Sequence, residues 1–468
     1  MKNNSRIIIL IISLIYFIIE RFLLNNSPEV TRFMEFQLVA IWGVAQYNSY
    51  KKFGLFSLYS LFLVGMFIFS IGAIFHFLVS GDDIRYIERG FGNYSFSYRT
   101  IQEALWAYSV FIMLTYATYN FLFSKSSSKA VFAKRLSGNE QYYKIGKILM
   151  WSFLAFQIYK GYLYFNAFNA NRVEIFLLGN MANPVPTWVR FVASFFEYGY
   201  YFVLASMPNE KSFKKYTLLY FVVLVPEILL GNRGMFGAFA LFYLWYNYTF
   251  YRKMAIKKRT AFILGVVMLV IFQLMEFMRD GASNGLASVS LTKFLVDQGI
   301  SFYILPLYID YAANLQYYLY PFFLYTIFGG FTGYTGQSIE VLQHNCGVGH
   351  QLMYTINPDY YLAGASFGSS SITEIYDAGF VGFIILSIFF AYMLIFFEKR
   401  FVSNRFICFA CLMIFSHFVL SSRGSYFPSL YAFVKLFLFY KVILFFMRHF
   451  VSKGPIVNIK KINNGKIY

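Results

Sequence analysis

Glu276-Phe277-Met278-Arg279-Asp280-Gly281 opens, and Gly368-Ser369-Ser370-Ser371-Ile372-Thr373-Glu374-Ile375-Tyr376-Asp377-Ala378-Gly379-Phe380 closes, the one long mixed stretch of a 468-residue chain that otherwise reads as apolar helix. Between those borders Gly, Ser, Asn, His and acids are interleaved with Tyr and Phe. A loop longer than ~15 residues is usually functional or disordered, and disorder needs a chain poor in aromatics. The stretch therefore reads as an ordered loop on one face of a membrane, carrying the chemistry.

The surrounding chain supports that reading. It is 59% hydrophobic, 23% aromatic and 13% charged, against about 25% charged in soluble domains. That composition specifies an all-α polytopic membrane protein, a single integral membrane domain over residues 1–468. The net charge of +19 does not point to nucleic acid, because the basic residues alternate between loops and form no patch on one domain. Cys408 and Cys411 stand one helical turn apart in an apolar run and read as packed thiols, with Cys346 alone in the loop. No disulfide framework or cysteine zinc site is visible. The N-terminal apolar run ends in Glu20-Arg21-Phe22-Leu23-Leu24-Asn25-Asn26, with no small-residue cleavage site, and reads as a retained first helix.

A span needs about 20 mainly apolar residues. Twelve segments meet this, some marginally: 7–24, 34–50, 53–79, 101–123, 148–168, 187–206, 216–230, 234–251, 260–278, 372–397, 406–421 and 426–447. Every second loop collects Lys and Arg, and together these loops and the two termini hold 26 of the 40 basic residues. Positive charge stays in the cytoplasm, so both termini are expected inside and the loop of about 279–371 outside. Residues 300–328 are apolar but broken by Pro306, Asp310, Asn314, Gln316 and Pro321. A crossing there would put the Lys-rich tail outside, so short interfacial or re-entrant helices are expected.

Four stretches in this order carry a resemblance. They are Leu229-Leu230-Gly231-Asn232-Arg233-Gly234; Arg279; Asp297-Gln298-Gly299-Ile300-Ser301; and the set Gly349-His350-Gln351, Asn357-Pro358, Gly364 to Gly368, Glu374-Ile375-Tyr376 and Gly379-Phe380-Val381-Gly382. Ser422-Arg423-Gly424 repeats the Arg-Gly turn. Over residues 225–425 the chain resembles the Wzy family of O-antigen polysaccharide polymerases. That resemblance implies a glycosyltransferase that joins undecaprenyl-diphosphate-linked oligosaccharide repeat units on the periplasmic face. It also implies lipid-linked donor and acceptor as partners, and a chain-length regulator of the same pathway. An O-antigen ligase and a lipid-linked oligosaccharide flippase are the alternative readings.

The candidate residues each carry a plainer reading beside the functional one. Arg233 and Arg423 stand in Gly-flanked outward turns, where the positive-inside rule depletes positive charge. Either is a snorkelling side chain or a fork that grips diphosphate. Arg279 is a third such cation or the partner of Glu276 at i,i+3. His350, inside the matched stretch, is the candidate base, with His344 the weaker alternative. Glu374 is either a catalytic carboxylate or half of a Ser371/Glu374 capping box, and Asp377 reads as structural. The matched stretches add Gln298, Asn357 and Tyr376 as substrate-binding positions, and His344 in the same loop is a fourth. Lys160, Glu197, Glu227 and Lys435 are charges inside spans, Lys435 with a buried partner expected and Glu227 placed to hold Arg233. No cofactor and no metal are expected: the loop acids Asp280, Asp297, Asp310, Glu340 and Asp359 are widely spaced, and Asp82-Asp83 and Glu374/Asp377 are the only close outward acid pairs. Three outward arginines would supply the positive charge in their place.

Overall fold

The computed structural model describes residues 15–89, 92–125, 138–170, 185–229, 233–251, 291–315, 321–333, 337–344, 347–362, 366–400 and 404–450. Every expected span falls on a helix where it is described; residues 7–14 of the first and all of 260–278 lie outside the described residues. After α1 (15–22) come α2 (Pro28–Phe53), α3 (Leu58–Met66) and α4 (Gly72–Ser80), the last two fused through a π-helical turn at Phe67–Ile71. A short hairpin, β1 (Tyr86–Arg89) with β2 (Gly92–Ser95), leads into α5 (Tyr98–Lys125). Then follow α6 (Glu140–Ala170), α7 (Thr187–Ala205), α8 (Glu210–Leu229) and α9 (Arg233–Phe250).

Two of these helical rods, Leu58–Ser80 and later Gly379–Arg400, are long and apolar enough to cross a bilayer by composition alone. Several others are of spanning length and leave large apolar side chains uncovered. Phe33, Phe36 and Val44 on α2, and Trp151, Ile158 and Tyr162 on α6, are all exposed. Water would not tolerate such faces on one monomer; lipid does. The pairs meet by small residues, as helices in lipid do. A Cβ on Gly146 of α6 would lie 2.6 Å from the Gly199 carbonyl oxygen of α7, and one on Gly199 would lie 2.8 Å from the Met150 nitrogen.

The loop is a string of short helices. These are α10 (Leu291–Gln298), a 3₁₀ turn Gly299–Tyr303, α11 (Ile304–Tyr311), α12 (Phe322–Phe328), α13 (Ile339–His344), α14 (Val348–Ile356) and α15 (Pro358–Leu362). None approaches spanning length. The first part does not lie on a surface: Phe302, Ile304, Leu305 and Leu307 are at most 2% exposed. It packs on the π-turn and on α4 and α5, so irregular backbone is covered by protein. Glycines set this contact. A Cβ on Gly299 would collide with Ala73, and one on Gly72 would lie 2.8 Å from Leu295.

The expected span 372–397 is broken. Residues Ser371–Tyr376 form α16 and Gly379–Arg400 form α17, with Gly379 at φ 73 between them. The break is fixed by Asp377, whose carboxylate accepts from Tyr308 Oη at 2.7 Å and from the backbone N–H of Phe323 at 3.1 Å. Its structural reading holds: it satisfies an open N–H at the start of α12. The expected Ser371/Glu374 capping box is not made. Ser370 is the N-cap and makes no side-chain cap bond, and the Ser371 hydroxyl has no partner. The chain ends with α18 (Arg405–Val419), a 3₁₀ turn Ser421–Arg423, and α19 (Leu430–Phe450). Cys408 and Cys411 are buried free thiols in α18. Lys435 departs from expectation: it is exposed, 6.0 Å from the Phe439 ring. Because α19 starts only at Leu430, Lys435 lies ~7.5 Å from that end at 1.5 Å per residue, close enough to snorkel.

Candidate functional site

The Ser421–Arg423 turn gathers the site. It sits at the end of α18 and packs on α3, on the π-turn and on α16. The approach of α18 to α3 is backbone-close, since a Cβ on Gly65 would collide with the Val419 carbonyl. Ser421 and Ser422 are fully buried, which leaves Arg423 as the exposed residue of the turn. Its guanidinium is held from two sides. Nη1 donates to Gln298 Oε1 at 2.9 Å, and Cζ lies 5.6 Å from the centre of the Phe69 ring. Gln298 is itself only 6% exposed, and Phe69 belongs to the π-turn. π-bulges recur at functional sites because they swing a side chain out of helical register. Here the bulge brings an aromatic ring to the cation, worth roughly 0.5–2 kcal/mol.

Glu374 braces the same turn from the other side. It is 2% exposed. Oε1 accepts from the Ser369 hydroxyl and from Ser425 Oγ at 2.9 Å, and Oε2 accepts from the Tyr426 N–H at 3.1 Å. Tyr426 Oη donates to the Phe323 carbonyl at 2.8 Å, extending the brace to α12.

His350 stands in a separate cluster. Its Nδ1 is 3.4 Å from Tyr361 Oη and its ring meets the Tyr361 ring edge-on. Burial lowers its pKa, so the imidazole is neutral at pH 7 and able to accept a proton. A backbone contact ties this cluster to the brace. A Cβ on Gly349 would collide with the Gly368 carbonyl, beside Ser369, whose hydroxyl reaches Glu374.

A model of the family described as O-antigen polysaccharide polymerase Wzy matches residues 5–454. The chain belongs to the Wzy family of O-antigen polysaccharide polymerases. It is an O-antigen polymerase of the inner membrane, carrying out a glycosyltransferase-type polymerisation of lipid-linked oligosaccharide repeat units in lipopolysaccharide biosynthesis. Nothing favours the ligase or flippase readings. No curated protein and no solved structure matches.

The structure of this Wzy-family chain sorts the sequence candidates. It brings Gln298, Glu374 and Arg423 to one turn. Asn357 caps α15, its Oδ1 accepting from the Tyr360 N–H at 3.0 Å. His344 Nδ1 lies 3.0 Å from the Glu340 carbonyl of its own helix. Tyr376 donates to Glu103, which also pairs with Arg21 at 3.0 Å. That triad fastens α16 to α5 and α1. The side chains of Arg233 and Glu227, and all of Arg279, lie outside the described residues. Sequence reasoning missed Phe69, whose signal is only an apolar residue in an apolar helix. It also missed Ser425, although Ser425 follows the Arg-Gly pair directly.

Proposed function

We propose that Arg423 grips the diphosphate of the lipid-linked donor, and that the polymerase forms its linkage by direct inverting displacement without a metal. The observation that carries this reading is the Arg423 guanidinium, exposed yet fixed by Gln298 and Phe69. A cation held in place before the reaction stabilises charge on a leaving group without reorganising. The acceptor hydroxyl oxygen attacks the anomeric carbon. The bond from that carbon to the diphosphate oxygen breaks, and its electron pair leaves with the lipid diphosphate. The hydroxyl proton goes to a base, for which His350, neutral by burial, is the candidate. Arg279 and Arg233 are assigned to the same anionic substrate by their place in the sequence, with His344, Asn357 and Tyr376 at the sugar-binding periphery. Both termini are cytoplasmic, the loop is periplasmic, and a chain-length regulator of the pathway is the expected protein partner.

Two measurements test this. In a deletion strain, Arg423→Lys should lose the long lipopolysaccharide ladder at normal protein level, because lysine keeps the charge but not the fork. Loss of one such contact lowers the rate ~100-fold. Purified polymerase should elongate lipid-linked units in excess EDTA. A full ladder from Arg423→Lys and Arg423→Ala rejects the grip. A rate that collapses with chelator and returns with Mg²⁺ or Mn²⁺ rejects the metal-free route and sends attention to Asp82, Asp83 and Glu374, of which Asp83 is already bidentate to Arg85.

A further inference from the structure

We propose that Glu374 is a positioning residue for the polymerisation, acting through Ser425 and Tyr426 to hold the turn that presents Arg423. It rests on the reading of Arg423 as the substrate-gripping cation. The argument begins with where the carboxylate is. At 2% exposure Glu374 has no surface to offer a sugar or a diphosphate. Its oxygens are engaged by the Ser369 hydroxyl, Ser425 Oγ and the Tyr426 N–H. Two of these donors belong to the two residues that follow Arg423-Gly424.

Between Arg423 and this brace lies Gly424, with extended backbone (φ −149, ψ −173). A glycine there leaves the turn free to swing, unless both sides are fixed. The Ser421–Arg423 side is closed by backbone bonds, Arg423 N–H to Leu420 O at 2.8 Å and Gly424 N–H to Ser421 O at 3.1 Å. The Ser425–Tyr426 side is closed by Glu374. Removing the carboxylate therefore frees the exit of the turn and blurs the placement of the guanidinium, while leaving Gln298 and Phe69 where they are. Misplacement of a catalytic contact by ~1 Å can cost up to ~100-fold in rate.

The donors also set the pattern of rescue. The Tyr426 N–H is fixed and needs an acceptor, which a glutamine carbonyl supplies. The Ser369 and Ser425 hydroxyls rotate, and their oxygens can accept from a glutamine NH₂. Glutamine thus keeps the brace, whereas alanine removes it. A carboxylate that moved a proton or carried needed charge would fail in both variants.

The test is a rate comparison on full-length polymerase in membranes, with lipid-diphosphate-linked repeat units as substrate and protein amount measured for each variant. Glu374→Gln should stay within ~3-fold of the parent and Glu374→Ala should lose ~10-fold or more in kcat. Combining Glu374→Ala with Arg423→Lys should cost clearly less than the product of the two single losses, because both act through one guanidinium. If Glu374→Ala does not accumulate, Ser425→Ala replaces it in the cycle, with ~3-fold loss and the same sub-multiplicative pairing expected. Equal inactivity of the Gln and Ala variants overturns the proposal in favour of proton transfer. Multiplicative losses overturn it in favour of a general packing role. Parent-like activity of Glu374→Ala, beside an impaired Arg423→Lys, removes this inference alone. Parent-like activity of Arg423→Ala removes the reading of Arg423 and this inference with it.

Discussion

At the scale of single residues, His350 shows how burial sets chemistry. Burial lowers its pKa below the ordinary 6.5. For a base with a depressed folded-state pKa, the unfolded chain binds the proton first as pH falls, so stability is present above pH 6.5 and drains away below it. Thermal melts of the detergent-solubilised polymerase should fall in midpoint as pH is lowered from 7 through about 6 and 5. His350→Gln should flatten that slope, since glutamine does not titrate in this range. A slope unchanged by the substitution would mean that other groups cause it. Arg423 makes the complementary point. It stood out as a candidate because an arginine beside a glycine in an expected outward turn stands against the charge bias of outer loops. Its supports were only half legible: Gln298 came from a matched stretch, but nothing marks Phe69 among 60 phenylalanines. The π-turn that presents the ring has no sequence signature.

At the scale of elements, glycines decide how closely the parts of the site approach. Gly299 lets the 3₁₀ turn after Gln298 press on Ala73. Gly299→Ala should push that turn away, move Gln298 from the guanidinium and shorten the polymer ladder at normal protein level. Gly43→Ala is the matched control: a Cβ there meets nothing within 4 Å, and alanine favours a helix interior by about 1 kcal/mol. A ladder unaltered by Gly299→Ala would show that the contact is slack. Packing of α6 on α7 is governed the same way. Gly199→Leu should lower the amount of folded protein recovered, read by size-exclusion of detergent extracts, because a leucine has no room beside Met150 and Gly146. Helix existence was readable from hydropathy, since twenty apolar residues in a row have few alternatives. The break inside 372–397 was not. It depends on Asp377 meeting Tyr308 and Phe323, which are 69 and 54 positions away in the chain, and periodicity carries no information at that range.

Across the whole molecule, the alternation of Lys and Arg predicts both termini inside, and a reporter tests it. A periplasm-active reporter fused at about residue 340 should be active and one at about residue 130 silent. The reverse at either position would sink the arrangement of the spans. The exposed apolar faces on α2, α6, α17 and α19 agree with a chain solvated by lipid, as the composition required. The convergence of Gln298, Glu374 and Arg423 was not readable, because each lies in a different stretch and only the packed bundle unites them.

That convergence also has a consequence in time. Gln298 is 125 positions upstream of the arginine it holds, Glu374 meets Ser425 from 51 positions upstream, and Tyr376 closes on Glu103 across 273. A ribosome threading this protein into the bilayer delivers the last partner only after Tyr426 has emerged. A nascent chain can be inserted, helical and fully lipid-solvated while the Gln298–Arg423 bond does not yet exist. Synthesis halted before Ser421 leaves an integral membrane protein without that bond.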